Sequence, residues 1–404
     1  MAAPQIDLRP FVEVSSIYDT GLSGVSINDQ GQLADAAGAG VEIAGGLSGV
    51  HTWKHTVVGL DYRGDFRHYT QQTYYDGTDQ TLMLGITHQL SRHISLALRE
   101  SAGLFSRNEG LSGLPQTVPF DPSSSYVPTT DFFDNRTIYA STQADLTIQK
   151  TARLSFDFGG DGFIARRRST ALYGTTGGAA RGDVQYRISR RTTLGAAYGF
   201  THFDFNGIFS GTDMHSMVGS YAVRITRQFE FTAYAGALRS ETKFIQSVPV
   251  DPVVEALLGA SLGSVVIHRV DWLPTGNARL SRTVQNGVLY IAGGHTVTPG
   301  NGLFLTSKMT SLMSGYTYTG LRRWSFNSEA SAGLGTSIGN ILGNYNTYAG
   351  AVTVSRQIRS GVSVLASFGA RHYDSPDFAA YRRTFYTTRI GVGFSPGDVP
   401  LRIW

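Results

Sequence analysis

The stretch Arg153-Leu-Ser-Phe-Asp-Phe-Gly-Gly-Asp-Gly-Phe-Ile-Ala165 alternates between two kinds of side chain. Its even positions carry leucine, phenylalanine, glycine and isoleucine, whereas its odd positions as far as Asp161 carry arginine, serine, aspartate and glycine. Successive side chains of a β-strand point to opposite faces, so this pattern predicts a strand with one apolar and one polar face. Such a strand suits a wall that separates an apolar medium from an aqueous one.

The same alternation occurs at 138–149 and at 386–394. Strands of a dozen residues or more are about twice as long as those of most soluble sheets. A soluble β-sandwich also alternates, however, so the pattern by itself leaves a soluble alternative open. Three tryptophans, Trp53, Trp324 and Trp404, fall at or beside predicted short turns, where the interfacial aromatic belt of a membrane protein would lie.

A short signature of an apolar residue, a serine or threonine and an arginine recurs along the chain, and it is interpreted as the closing point of one strand and the opening of the next. The copies are Leu90-Ser91-Arg92, Ile188-Ser189-Arg190, Ile225-Thr226-Arg227, Leu280-Ser281-Arg282 and Val354-Ser355-Arg356. Their spacing accommodates two tilted strands and one longer loop. The chain is therefore predicted to form hairpins with short turns on one side and long loops on the other.

These features predict an all-β fold, a transmembrane antiparallel up-and-down β-barrel of about 18 strands (range 16 to 20) with short periplasmic turns and long extracellular loops. The predicted strands are 6–19, 39–50, 54–67, 79–91, 93–107, 134–149, 152–165, 176–189, 191–205, 213–226, 228–243, 265–281, 287–299, 307–321, 324–338, 345–357, 361–374 and 383–396. Apolar runs are too short for a spanning helix, and lipid cannot satisfy an open sheet edge, so the wall must close.

The pattern continues without a linker, which favours a single barrel domain over 1–404 in the bacterial outer membrane. The partners expected there are outer-membrane lipid, lipopolysaccharide and the barrel assembly machinery. The longest loop, 108–134, contains four prolines and is predicted either to cap the mouth or to fold into the lumen. A second extracellular loop, 244–264, is predicted to hold a short helix that begins at Asp251-Pro252 and ends at Gly259.

The polar face of the predicted wall carries charges of both signs. An unpaired arginine or lysine facing lipid costs about 2 to 4 kcal/mol at the bilayer midplane, so these groups are expected to face inward. The predicted lumen-lining residues are Arg9, Asp61, Arg63, Asp65, Arg67, Arg99, Arg153, Asp157, Asp161, Asp183, Arg187, Arg224, Glu230, Asp271, Arg279, Glu329, Arg371 and Arg389. They form either a polar bore for hydrated solutes or a polymer, or a paired network that stiffens the wall. Glu100 falls on the apolar face, which a β-bulge or an earlier strand end would explain.

Little in the sequence indicates chemistry. With no cysteine, the chain has neither disulfides nor thiolate metal sites, and its cations do not cluster with aromatics in the manner of a nucleic-acid groove. His202-x-Asp204 and His372-x-Asp374 are possible acid–base pairs of a surface hydrolase, and Gly259-Ala-Ser261-Leu-Gly263 matches a nucleophile-elbow pattern in the wrong structural order. Solvated side chains at the edges of loops are the commoner explanation. The sequence thus predicts a non-enzyme with no catalytic residues, cofactor or metal.

The C-terminal strand Tyr386-Thr-Thr-Arg-Ile-Gly-Val-Gly-Phe394 resembles the assembly signal of bacterial outer-membrane barrels, in which alternating apolar residues end in an aromatic. The tail to Trp404 departs from that pattern, so either Phe394 or Trp404 is the aromatic read by the insertion machinery. The chain as a whole resembles outer-membrane β-barrel proteins, some of which accompany exopolysaccharide export systems. The resemblance implies a barrel but no particular substrate.

The leading hypothesis is an outer-membrane channel that passes polar solutes or a polymer through a charged lumen. One alternative is an exopolysaccharide export conduit whose arginine-rich short turns dock a periplasmic partner. Another is a structural or adhesive surface barrel plugged by the 108–134 loop.

Overall fold

A computed structural model of the chain shows one closed antiparallel sheet. The structure describes residues 5–22, 36–105, 136–168, 172–251, 253, 259, 261–300, 302, 305–338, 343–376, 382–397 and 399–402. Each of the first seventeen strands pairs with the next, and the first strand pairs with the eighteenth over Val12↔Phe394 to Asp19↔Thr387. The predicted eighteen-stranded up-and-down barrel is confirmed.

The strands that form the wall are long, and β11 and β12, with 21 and 23 residues, are longer than the rest. They are β1 Gln5–Asp19, β2 Gly38–Thr52, β3 Thr56–Tyr69, β4 Gly77–Ser91, β5 Ile94–Phe105, β6 Thr137–Gln149, β7 Leu154–Arg167, β8 Gly174–Arg187, β9 Thr192–Asn206, β10 Ser210–Arg224, β11 Phe229–Pro249, β12 Leu262–Val284, β13 Gly287–Thr298, β14 Ser307–Tyr318, β15 Trp324–Ser337, β16 Asn344–Arg359, β17 Val362–Asp374 and β18 Arg383–Phe394. A four-residue strand, β19 (Val399–Arg402), continues along β1 beyond β18. A 3₁₀ turn, Thr73–Tyr75, lies between β3 and β4.

The β11–β12 hairpin extends further than the sequence predicts. Its two strands stay paired as far as Pro249↔Leu262, so both ends of the predicted 244–264 loop are strand. Those bounds are wrong because the two strands continue as a ribbon above their neighbours. The predicted loop helix lies mostly outside the described residues, although the Val253 amide donates to Asp251 Oδ1 at 2.8 Å. The 108–134 loop and Trp404 lie outside the described residues altogether.

The hydroxyl of the repeated signature shapes the short turns. Ser189 Oγ accepts from the Arg191 amide at 3.1 Å, and Thr226 Oγ1 accepts from the Gln228 and Phe229 amides at 3.2 and 3.1 Å. Ser and Thr side chains commonly satisfy backbone amides two or three residues ahead in tight turns. The signature therefore encodes a turn at these positions.

Two copies of the signature do not mark a turn, so the turns predicted from them are wrong. The copies ending at Arg282 and Arg356 lie inside β12 and β16, which run on to Val284 and Arg359 before they turn. In the second copy the hydroxyl is used across strands, because Ser355 Oγ lies 2.6 Å from Ser325 Oγ. The local pattern is the same, but register with the neighbouring strand decides where the turn forms.

Among the described residues there is no helix long and apolar enough to cross a membrane.

Candidate functional site: the inner wall of the barrel

The two faces of the wall differ in composition. Large apolar side chains such as Phe158, Val184, Leu194 and Ile390 stand on one face and are 41 to 60% exposed. The opposite face carries most of the ionisable side chains, many of which are paired and buried. In a closed sheet the crowded, mutually contacting face is the inner one, since only there can side chains of non-adjacent strands meet.

Nearly all of the predicted lumen residues project from this inner face. By strand parity and register they are Arg9, Asp61, Arg63, Asp65, Arg67, Arg99, Asp157, Asp161, Asp183, Arg187, Arg224, Glu230, Asp271, Arg279, Glu329, Arg371 and Arg389. Arg153 does not belong to this set. It is an exposed residue of the turn before β7, because that strand begins at Leu154 rather than at 152.

A buried ion network joins the two ends of the chain. Arg67 Nε lies 2.8 Å from Glu42 Oε2, and its Nη2 lies 2.6 Å from Asp79 Oδ2 and 3.1 Å from Asp65 Oδ1. The other oxygen of Glu42 lies 2.9 Å from Arg389 Nη1. Glu42 and Arg67 are 2 and 3% exposed, and Arg389 is 12% exposed. The network connects β2, β3, β4 and β18 across the β1–β18 seam.

Sequence reasoning missed Glu42 and Asp79. Glu42 stands between Val41 and Ile43, both of which are exposed on the outer face. The period-two alternation of β2, with Val41 and Ile43 facing outward, predicts that Glu42 faces inward. This signal could have identified Glu42. The ion pair of Glu42 with Arg389 could not be predicted from the sequence, because the two residues lie far apart in the chain and no pattern near either one indicates the other.

A second polar group lies on β6, β7 and β8 and is rich in carboxylates. Asp145 forms an ion pair with Arg181, and Gln143 Nε2 donates to Asp145 Oδ2 at 3.0 Å. Asp157 and Asp183 lie directly opposite each other on adjacent strands. Like charges at directly opposed strand positions are destabilising, so this pair presents negative charge to the lumen without cancelling it.

A third polar group lies on the far side of the wall. The guanidinium carbon of Arg279, on β12, is 5.0 Å from the centroid of the Tyr290 ring on β13. Glu329, on β15, faces the same side, since it lies opposite Gly315, which in turn lies opposite Tyr290. The inner wall thus carries charge of both signs around its circumference.

The described residues between β13 and β14 lie in the mouth on the long-loop side. Leu305 and Thr306 are 1 and 0% exposed. Thr306 Oγ1 lies 2.6 Å from Thr212 Oγ1 on β10, and the Gly302 carbonyl accepts from the Tyr173 amide, just before β8, at 3.0 Å. These contacts reach strands far from β13, so the described residues of this stretch narrow the mouth, and we call them the inward segment: Pro299, Gly300, Gly302, Leu305 and Thr306.

An apolar cluster anchors this inward segment. Its buried members are Phe163, Phe203, Phe205, Met214, Leu238, Val297, Leu305 and Ile338. The upper part of the lumen is therefore lined partly by aromatic and aliphatic side chains, whereas the middle is charged. These apolar side chains bury Leu305 of the inward segment.

The histidine–aspartate pairs lie on the outer face near the long-loop ends. His202 Nε2 lies 3.0 Å from Asp204 Oδ2, and its Nδ1 lies 2.7 Å from Asp213 Oδ1. His372 instead contacts Thr384 Oγ1 at 2.8 Å. The two histidines stand on β9 and β17, so they do not combine into one site, and Ser261 lies in the bend before β12.

Glu100 faces outward from the middle of β5, where Thr142 Oγ1 donates to its Oε2 at 2.7 Å. The predicted bulge or early strand end at this residue is wrong. Strand β5 runs unbroken from Ile94 to Phe105, and the only irregularity between β4 and β5 lies at Gln89/Ser91. The hydroxyl of Thr142 gives the Glu100 carboxyl group a hydrogen-bond partner on an otherwise apolar face.

Two of the predicted interfacial aromatics stand at the short-turn end. Trp53 and Trp324 are 44 and 42% exposed, and the Arg356 guanidinium carbon lies 5.1 Å from the Trp324 ring centroid. Within the described residues, no group of three or more histidine or acidic side chains is arranged to hold a metal ion.

No protein-family model and no curated protein matches the chain. Solved structures similar to it include Pseudomonas aeruginosa OpdQ, with 12% identity, coverage of 98% of both chains and a TM-score of 0.45. A BenF-like porin from Pseudomonas fluorescens Pf-5 has 10% identity, coverage of 98 and 99%, and a TM-score of 0.47. Acinetobacter baumannii OccAB1 has 11% identity, coverage of 98 and 97%, and a TM-score of 0.46. At such low identities and scores these similarities carry no functional argument, and the function proposed below rests on the geometry of this chain.

Proposed function

We propose that this protein is a channel of the bacterial outer membrane for small polar solutes. The observation that carries the proposal is the contrast between the two faces of one closed wall. Large apolar side chains are exposed outside, whereas charged side chains converge inside. A transmembrane barrel shows this arrangement because lipid solvates its outside and water its inside.

The width of the barrel supports a channel. Eighteen strands spaced about 4.8 Å apart and tilted by about 40° enclose a backbone cylinder on the order of 35 Å wide, which wall side chains alone cannot fill. The inward segment occupies part of the mouth. A narrowed charged bore suits small solutes better than a polymer, which disfavours polysaccharide export. The hypothesis of a plug formed by residues 108–134 stays a prediction, because these residues lie outside the described ones.

The expected partners follow from the location. Outer-membrane lipid and lipopolysaccharide would contact the outer face, and the barrel assembly machinery would insert the chain. The proposed role is not enzymatic, since the two histidine–aspartate pairs stand apart on the outer face, away from the bore.

The test is ion conductance. Protein refolded in detergent and added to planar bilayers in potassium chloride should give large, steady conductance steps. Absence of any step from correctly folded barrels would contradict the channel. Protein that stays folded in plain buffer without detergent would contradict the membrane location itself.

A further inference from the structure

The short-turn end of the barrel carries a dense ring of positive charge. Fourteen lysines and arginines lie in the eight short turns or within four strand residues of one, and all are exposed. We call them the basic collar: Lys54, Arg92, Lys150, Arg153, Arg187, Arg190, Arg191, Arg224, Arg227, Arg282, Arg322, Arg323, Arg356 and Arg359. In the same zone of the described chain the carboxylates are Asp157 and Glu230. The collar is therefore far from neutral.

Two collar arginines are held against aromatic rings on the outer face. The Arg282 guanidinium carbon lies 5.0 Å from the centroid of the Phe229 ring, and Arg356 lies 5.1 Å from that of Trp324. A guanidinium that stacks on an aromatic face keeps the edge of its planar fork free for an oxyanion. Both groups are therefore positioned beside the wall rather than over the bore.

Apolar side chains stand next to the collar. Leu90, Ile188, Ile225, Leu321 and Ile358 are 50 to 60% exposed, and each lies within two residues of a collar cation. Leu90, Ile188 and Ile225 are the apolar residues of three copies of the repeated signature. An apolar side chain with a cation one or two residues away fits the boundary between acyl chains and phosphate groups.

We infer that the basic collar, apart from Arg187 and Arg224, whose side chains face the lumen, binds the headgroups of acidic phospholipids in the leaflet on the short-turn side. Twelve of the fourteen cations are arginine, whose fork pairs two of its N–H groups with one phosphate. An acidic protein, the alternative ligand, would contact only the cations at the tips of the short turns. It would leave unexplained the apolar neighbours and the outward stacking of Arg282 and Arg356. The inference rests on the membrane location proposed above and adds a lipid preference to it.

Retention of defined lipids tests this. Purified barrels are mixed with phosphatidylglycerol and phosphatidylcholine in detergent micelles, and native mass spectrometry counts the molecules of each lipid that remain bound. The collar variant replaces Arg190, Arg191, Arg282 and Arg356 with glutamine. The matched control removes four cations from the opposite end as R166Q, R168Q, K243Q and R382Q.

The native protein should retain phosphatidylglycerol preferentially, and the collar variant should lose at least tenfold of that preference, whereas the control variant should keep it. Rising salt should weaken the preference of the native protein, an effect that needs no variant. Equal retention of both lipids, or an equal loss in the two variants, would overturn the inference. Conductance measured on the same samples separates this failure from failure of the channel proposal.

Discussion

Glu42 accepts contacts from two guanidinium groups at once, and it is nearly inaccessible to solvent. Replacing Glu42 with alanine would remove this carboxylate from both Arg67 and Arg389. Removing one partner of a buried ion pair leaves an uncompensated charge and costs about 3 kcal/mol or more. We expect Glu42→Ala to lower the free energy of unfolding by that amount in a urea titration followed by tryptophan fluorescence.

The ion pair of Asp61 and Arg63 supplies the control for Glu42→Ala, because it is exposed rather than buried. Its distance is 3.2 Å, but its side chains are 39 and 42% exposed. Exposed pairs contribute less than about 1 kcal/mol, so Asp61→Asn should leave the urea midpoint almost unchanged. Equal midpoints for both variants and the native protein would show that the seam network adds no stability.

Among the elements, the inward segment between β13 and β14 depends on Gly302. This residue has a φ of +91°, and a Cβ there would lie 2.6 Å from Arg167 Nε and 2.9 Å from the Tyr173 carbonyl oxygen. Gly302→Val should therefore displace the segment from the mouth, and single-channel conductance in planar bilayers should rise.

The turn after β9 offers a matched variant. Gly207 has a φ of +88°, yet a Cβ there would meet nothing within 4 Å. Gly207→Val carries the same backbone strain without the collision, so its conductance should equal that of the native channel. A rise in both variants would assign the effect to strain rather than to the displaced segment.

The elements also show what a sequence can and cannot predict. The strands are recognisable because each must present apolar side chains to one medium and polar side chains to another, which imposes period-two alternation. The Glu42–Arg389 contact and the inward segment depend on residues brought together only when the wall closes. The extension of β11 and β12 depends on mutual pairing, which continues after their other neighbours have ended.

At the scale of the whole molecule, the charges around the bore should set its ion preference. The middle of the wall formed by β6, β7 and β8 presents Asp145, Asp157, Asp161 and Asp183 against Arg181. We expect a preference for potassium over chloride, measured as a reversal potential in a salt gradient. The double variant D157N/D183N should reduce it, since fixed charge lining a pore selects ions of opposite sign.

Two acids on the outer face give the comparison. Asp204 and Asp213 both contact His202, outside the bore. The double variant D204N/D213N removes the same formal charge but should leave the reversal potential unchanged. A shift of similar size in both double variants would contradict an origin of selectivity in the bore.

Pairing of the first strand with the eighteenth has a consequence for synthesis. Until residues 383–394 have left the ribosome, the chain can form at most a ribbon with two unsatisfied edges. An mRNA truncated before that point would yield a chain without β18, whose remaining hairpins could not close into a barrel. We expect such products to be degraded in transit rather than to accumulate as narrower pores.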